Sequence, residues 1–230
     1  MRIPIGAVPA LLLFGSGCRQ TPPFPPSEMA RLADPPAFAS LPVERWVSAV
    51  PGTAWTLEAI GGPKSRIRVL CVGEANVLGR RGLRFRLDLN GKPWREEVLG
   101  TSSQGLILLE MGKAGGAGMR FEPPMVLASR LPRPGEEFPW SGAIRIGSER
   151  IAARGYAVTR DPEPVGTTGS PGRSLVLDSL VELLPEGSEP IPFPVSRWYG
   201  SEFGLSRVRL GIAGNMTTFE ARERTAGNAR

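Results

Sequence analysis

Residues 83–89 read Leu-Arg-Phe-Arg-Leu-Asp-Leu, and Asn90-Gly91 follows. Apolar and charged residues alternate without a break, the period of a strand with one dry and one wet face. Asn-Gly is the strongest two-residue hairpin signal, because a type I′ turn needs positive φ at both central positions. The spacing predicts a return strand over 94–99. Outward from this hairpin, short strand patterns recur at 55–60, 66–72, 106–111, 119–127, 138–146, 151–160, 174–184, 194–200 and 204–211. Turn chemistry separates them: Gly61-Gly62-Pro63, a glycine-rich connection over 112–118, and a polar stretch over 161–173 read as a loop. This succession predicts a mainly β fold, a single curved antiparallel sheet or open half-barrel with at most one or two short helices. One helix candidate is 41–50, where Val43, Trp46, Val47 and Val50 share a face. The globular part is expected over 43–216. The Arg- and Glu-rich stretch 217–230 reads as a frayed tail.

Composition agrees. The 230 residues include 29 Gly and 24 Pro. Together these are about 23% of the chain against roughly 12% in average usage, which opposes a helical bundle. Hydrophobic residues make up 41%, with 5 Trp and 9 Phe, enough for one real core. Histidine is absent. That removes the usual general base, the commonest zinc ligand and every Ser–His or Cys–His nucleophile system. Two cysteines make neither a cysteine-rich metal site nor a disulfide framework. The net charge is +6, and Lys64, Lys92 and Lys113 are the sole lysines among 28 basic residues. The arginines are scattered rather than gathered in one tract, so the charge does not read as a nucleic-acid surface.

The N-terminus carries the address. Residues 1–18 are MRIPIGAVPALLLFGSGC: one early arginine, an apolar stretch over 3–14, and small residues before Cys18. The apolar stretch is too short to span a bilayer. The segment resembles a bacterial lipoprotein signal with its lipobox. Ser16 and Gly17 fit the two positions before the cysteine, whereas Gly15 and the prolines Pro4 and Pro9 depart from the pattern. The resemblance implies that residues 1–17 are removed and that Cys18 becomes a lipidated first residue. Residues 21–42 hold seven prolines. In polyproline geometry they span roughly 70 Å, so 18–42 is expected to be a tether between membrane and domain.

A second resemblance covers the pattern over about 50–211. Pro132-Arg133-Pro134-Gly135-Glu136 to Trp140-Ser141-Gly142, then Arg197-Trp198-Tyr199-Gly200 and Phe203-Gly204-Leu205-Ser206-Arg207, look like envelope lipoproteins of the LolA and LppX type. That resemblance implies a strongly curved half-barrel holding lipid or lipoprotein in its concavity. It transfers no binding residue.

Candidate site residues fall into three sets. Trp55, Trp94, Trp140 and Trp198 sit in strand contexts and would serve either a plain core or an apolar pocket. The pairs Arg66 and Arg68, Arg84 and Arg86, and Arg207 and Arg209 each lie on one strand face, as a solvated face or as a strip for anionic groups. The strip matters only if the three strands neighbour one another. The carboxylates Glu96/Glu97, Glu136/Glu137 and Asp161/Glu163 are the acid–base material. Glu96 and Glu97, adjacent on a strand, face opposite sides and make a poor catalytic pair. Cys71 reads as a small buried hydrophobe.

These readings point to a membrane-anchored, non-enzymatic envelope lipoprotein, facing the periplasm or exterior and holding an apolar or amphiphilic ligand against its sheet. No cofactor, metal or catalytic residue is expected. The partners implied are the membrane, a lipid or another envelope protein. A structural or assembly role toward envelope proteins or cell-wall glycan is a second reading, and a carboxylate-dependent hydrolase a third. The anchor is testable: Cys18→Ala should move the protein from the membrane fraction into the soluble fraction, and a variant that stayed membrane-bound would contradict it.

Overall fold

The computed structural model describes residues 41–47, 49–61, 64–165, 172–200, 203–212 and 214–227. The expected signal (1–17), Cys18 and all but the last two residues of the expected tether lie outside these. The described chain is one short helix followed by twelve strands. The helix α1 is Val43–Trp46. The strands are β1 Ala54–Ala59, β2 Arg66–Val77, β3 Arg80–Leu89, β4 Lys92–Ser102, β5 Gly105–Lys113 and β6 Met119–Ser129. They continue as β7 Glu137–Ile146, β8 Glu149–Val165, β9 Gly172–Leu183, β10 Ile191–Gly200, β11 Gly204–Ile212 and β12 Asn215–Thr225.

Each strand pairs antiparallel with its sequence neighbours, and β1 pairs with β12. The result is a closed twelve-stranded barrel, which corrects the expected single curved sheet or open half-barrel. The reason lies at the C-terminus. Residues 217–225, expected to fray, belong to β12: Phe219 and Ala221 point into the core while Glu220 and Arg222 alternate outward. Those outward charges make cross-strand pairs, Arg207–Glu220 at 3.0 Å and Arg222–Glu58 at 3.5 Å. The charge density that reads as a solvated tail is therefore the wet face of a strand. The polar stretch 161–173 is also mostly strand, since β8 runs to Val165 and β9 starts at Gly172; residues 166–171 lie outside the described ones.

The founding hairpin forms as its sequence dictates. Asn90 has φ 50° and Gly91 φ 80°, and Leu89 pairs with Lys92 across a two-residue loop. Asn90 Oδ1 also accepts the Arg66 backbone N–H at 2.9 Å, tying the turn to β2. Alternation sets the faces. Ile67, Val69 and Cys71 of β2 and Phe85 and Leu87 of β3 are buried in the central core. Arg66, Arg84 and Arg86 point outward into ion pairs. In β5 the unbroken run Leu106-Ile107-Leu108-Leu109 is buried on both sides. Leu106 and Leu108 join the interior, and Ile107 and Leu109 join an outer cluster with Val77 and Val98.

A barrel of more than eight strands encloses more room than simple inward side chains fill. Large residues fill it: Trp55, Phe85, Phe121, Trp140 and Phe219 are buried in one cluster. Trp55 Nε1 donates to Phe203 O, and Trp140 Nε1 to Pro123 O, both at 2.8 Å. α1 supplies the rest. Four residues are far too few to be helical alone. It is held because Val43 and Trp46 insert into the core and the Val43 N–H donates to Arg130 O at 2.8 Å, just after β6. That places α1 over the barrel end where β2 meets β3 and β4 meets β5.

Gly91→Val should lower stability by about 1–2 kcal/mol, because a side chain with a Cβ is strained at positive φ. Thermal unfolding checks it, and an unchanged Tm would contradict the Asn90-Gly91 turn as the register-setting element.

Candidate functional site

The lumen beneath α1 is layered along β3 and β4. On β4 the inward positions from the mouth are Thr101, Leu99, Glu97 and Arg95; on β3 they are Arg81, Leu83, Phe85 and Leu87. The outermost layer is a cleft of about 540 Å³. Val47, Ala49 and Val50 wall it on the α1 side and Leu83, Phe85, Leu99 and Leu106 on the barrel side. Glu44, Glu74, Arg81 and Arg224 also line it. This volume falls within the usual range for small-molecule sites, which are mostly apolar with a few polar groups.

Val47, Phe85 and Leu99 also border a second, inner pocket of about 30 Å³. Its walls are Trp55, Val69, Leu87, Leu205 and Val208, and its polar groups are Glu97, Arg197 and Tyr199. There Arg197 Nη2 donates to Glu97 Oε2 at 2.6 Å and Arg95 Nη2 lies 2.9 Å from Glu97 Oε1. Arg197 also reaches Ser179 Oγ at 3.4 Å, and Arg95 contacts Met111 Sδ at 3.3 Å. Arg197 and Glu97 are 4% and 5% exposed. Burial pushes the Glu97 carboxyl up, but the two guanidiniums outweigh it and hold it below its ordinary value. Burial pushes the Tyr199 phenol up to about 12, so it stays protonated.

The outer wall is different. Arg84 pairs with Glu96 and Glu110, Arg86 with Asp88, Arg120 with Glu110, Arg145 with Glu122 and Arg154 with Glu182. A membrane-spanning barrel shows lipid an apolar band and keeps its polar residues inside. This barrel has the reverse polarity, so its wall is built for water. No helix among the described residues is long and apolar enough to cross a membrane.

The sequence candidates distribute as follows. Trp55 lines the inner pocket, Trp140 is core, and Trp94 packs half-buried against the same core. Trp198 lies on the strand face opposite Arg197 and Tyr199. Its Nε1 donates to Glu163 at 2.9 Å, and the Arg207 guanidinium sits 5.5 Å from its ring centre.

The condition set for a basic strip, that the three strands neighbour one another, is not met. Arg66 and Arg68 on β2 neighbour Arg84 and Arg86 on β3, but β1 and β12 separate them from Arg207 and Arg209 on β11. Arg66, Arg84, Arg86 and Arg207 are ion-paired with the chain's own carboxylates. Arg68 is exposed, set between Thr56 of β1 and Asp88 of β3, and Asp88 is already engaged by Arg86. Arg209 is half-buried, set between Ser196 of β10 and Thr218 of β12. Neither Arg68 nor Arg209 lines the mouth cleft or the inner pocket. The physical reason is strand order: the period of two places each pair on one face, but it does not decide which strands lie side by side.

Glu96 and Glu97 do face opposite sides, one paired with Arg84 outside and one with Arg197 inside. Glu136 accepts from Ser129 Oγ and the Arg133 N–H. Arg95, Arg197 and Tyr199 are the site residues that sequence reasoning misses. A signal for them exists: charges of opposite sign occupy the apolar phase of two strands, beside Leu99 on β4 and between Val195 and Tyr199 on β10.

No protein-family model matches the chain, and no curated protein matches it. Two solved structures are similar to it. One is a proposed lipoprotein from Parabacteroides distasonis ATCC 8503, 12% identical with a TM-score of 0.41. The other is a proposed exported protein with a YmcC-like fold from Bacteroides fragilis NCTC 9343, 12% identical with a TM-score of 0.42. Each match covers 78% of this chain and 98% of the other. At these scores neither bears on function.

Glu97→Gln should destabilise the barrel by about 3–5 kcal/mol at neutral pH, because two buried guanidiniums lose their counter-charge. The folded pKa of Glu97 is depressed, so its contribution is complete above its ordinary value of 4.5 and disappears as pH falls through the folded value. The Tm gap between wild type and Glu97→Gln should therefore narrow below that pH. A gap constant down to acid pH would contradict the ionised triad.

Proposed function

We propose that the chain is a lipid-anchored, non-catalytic envelope protein whose barrel mouth receives the apolar part of an amphiphile. The cleft of about 540 Å³ between α1 and β2–β5 carries this reading. Its walls are mainly aliphatic and aromatic while the outer wall of the barrel is charged, so it is the apolar concavity offered at this end. Residue 41 enters the fold at the same end, so an anchor at Cys18 would join the domain beside the cleft. The concavity first expected from an open sheet is replaced by this mouth, since closure and large side chains fill most of the interior. The assembly reading drew on the basic faces. It is weakened because Arg66, Arg84, Arg86 and Arg207 are neutralised by carboxylates of the same wall, while Arg68 and Arg209 stand apart.

The test uses the full chain carrying Cys18→Ala, which removes the need for detergent, and the neutral probe N-phenyl-1-naphthylamine. Val50 lines the cleft and is 40% exposed, so Val50→Glu should leave the Tm unchanged. It should weaken probe binding about tenfold, roughly 1.4 kcal/mol. No saturable probe binding, or equal binding by the variant, would overturn the reading.

A further inference from the structure

The inner pocket has a charge imbalance. Arg95 and Arg197 bring two positive charges and Glu97 one negative, in a layer walled by Trp55, Val69, Leu87, Leu205 and Val208. Buried charge is costly unless balanced by a partner. Here one positive charge is left over. Tyr199 borders the same pocket and is 5% exposed. Its phenol, kept protonated by burial, is a hydrogen-bond donor at the pocket wall. The pocket, at about 30 Å³, has room for about two water molecules, since one water needs roughly 10–15 Å³ on this scale. That matches the two oxygens of a carboxylate, and is small for a phosphate with its higher charge.

We infer that this pocket is a carboxylate-binding site, with Arg197 supplying charge and the Tyr199 hydroxyl a hydrogen bond. Glu97 holds Arg197 in place and, with Arg95, sets the net charge at one. The chemistry suits two sources. A fatty acid would place its headgroup here and its chain through the layer of Val47, Phe85 and Leu99 into the mouth cleft. A free small carboxylate would occupy the inner pocket alone. The fatty-acid source rests on the mouth reading above; the site itself does not. Val47, Phe85 and Leu99 border both cavities and form the layer between them.

The experiment is calorimetric titration of the Cys18→Ala full chain with decanoate, decan-1-ol and acetate, in wild-type and Tyr199→Phe backgrounds. Tyr199→Phe keeps the ring and removes only the hydroxyl, and its Tm verifies the fold. Decanoate binding at least about tenfold tighter than decan-1-ol, with the preference reduced in Tyr199→Phe, establishes the site with a lipid source. Saturable acetate binding that Tyr199→Phe weakens, with no added affinity for decanoate, establishes it with a free carboxylate as source. Equal binding of decanoate and decan-1-ol leaves the mouth reading standing and overturns this one. Acetate or decanoate binding indifferent to Tyr199→Phe, or no binding of any probe, also overturns it.

Discussion

The pairing of β1 with β12 is the constraint on which the molecule depends. Six residue pairs from Ala54 with Thr225 to Ala59 with Phe219 join the two ends of the sheet. Without them the sheet would present two free edges, each a row of unpaired backbone groups open to other chains. With them every strand has two neighbours, and the sheet separates an inside from an outside. The ladder holds because both strands alternate correctly. Leu57, Phe219 and Ala221 are buried in the core, while Glu58, Glu220 and Arg222 form ion pairs outside. A bulge between Thr56 and Leu57 absorbs one extra residue of β12 and keeps the phases matched.

Closure then determines what the interior does. Twelve strands enclose more space than an eight-stranded barrel, and most of it is taken up by tryptophans, phenylalanines and α1. Two features remain: an aliphatic cleft at the mouth and, one layer deeper, an ionic triad beside a pocket of molecular-fragment size. Their order along β4, Thr101 and Leu99 above Glu97 and Arg95, gives the lumen an apolar entrance and a cationic floor. The charged outer wall is that of a barrel whose exterior meets water.

Much of this order is legible in the chain. The Asn90-Gly91 turn and the alternation in 83–89 announce the first hairpin, and eleven of the twelve strands are marked by alternating or apolar runs between turn signals. Cys71 is buried, as its mid-strand position implies. Closure was not legible, because the last strand is disguised: in 217–225 the outward residues are densely charged, and only Phe219 and Ala221 mark the inner face. Whether a sheet closes also depends on which distant strands meet, and local pattern does not encode that. The triad was hidden for a related reason. Glu97 and Arg197 are one hundred residues apart, and their pairing arises across the lumen rather than along a ladder. The tryptophans and arginines mislead in the opposite direction. Trp198 has the look of a pocket residue, yet its strand phase sends it outside, against Glu163 and Arg207. Arg68 and Arg209 have the look of one basic face, yet two strands lie between them.

Amide hydrogen exchange along β1 and β12 tests closure most directly. A closed barrel protects the alternate, ladder-bonded amides of 54–59 and 219–225 as strongly as those of the β3–β4 ladder, since all open only with the whole sheet. Exchange in both segments at the rate of free edge strands, while β3–β4 stays protected, would show an open sheet and remove the lumen from which the functional reading is built.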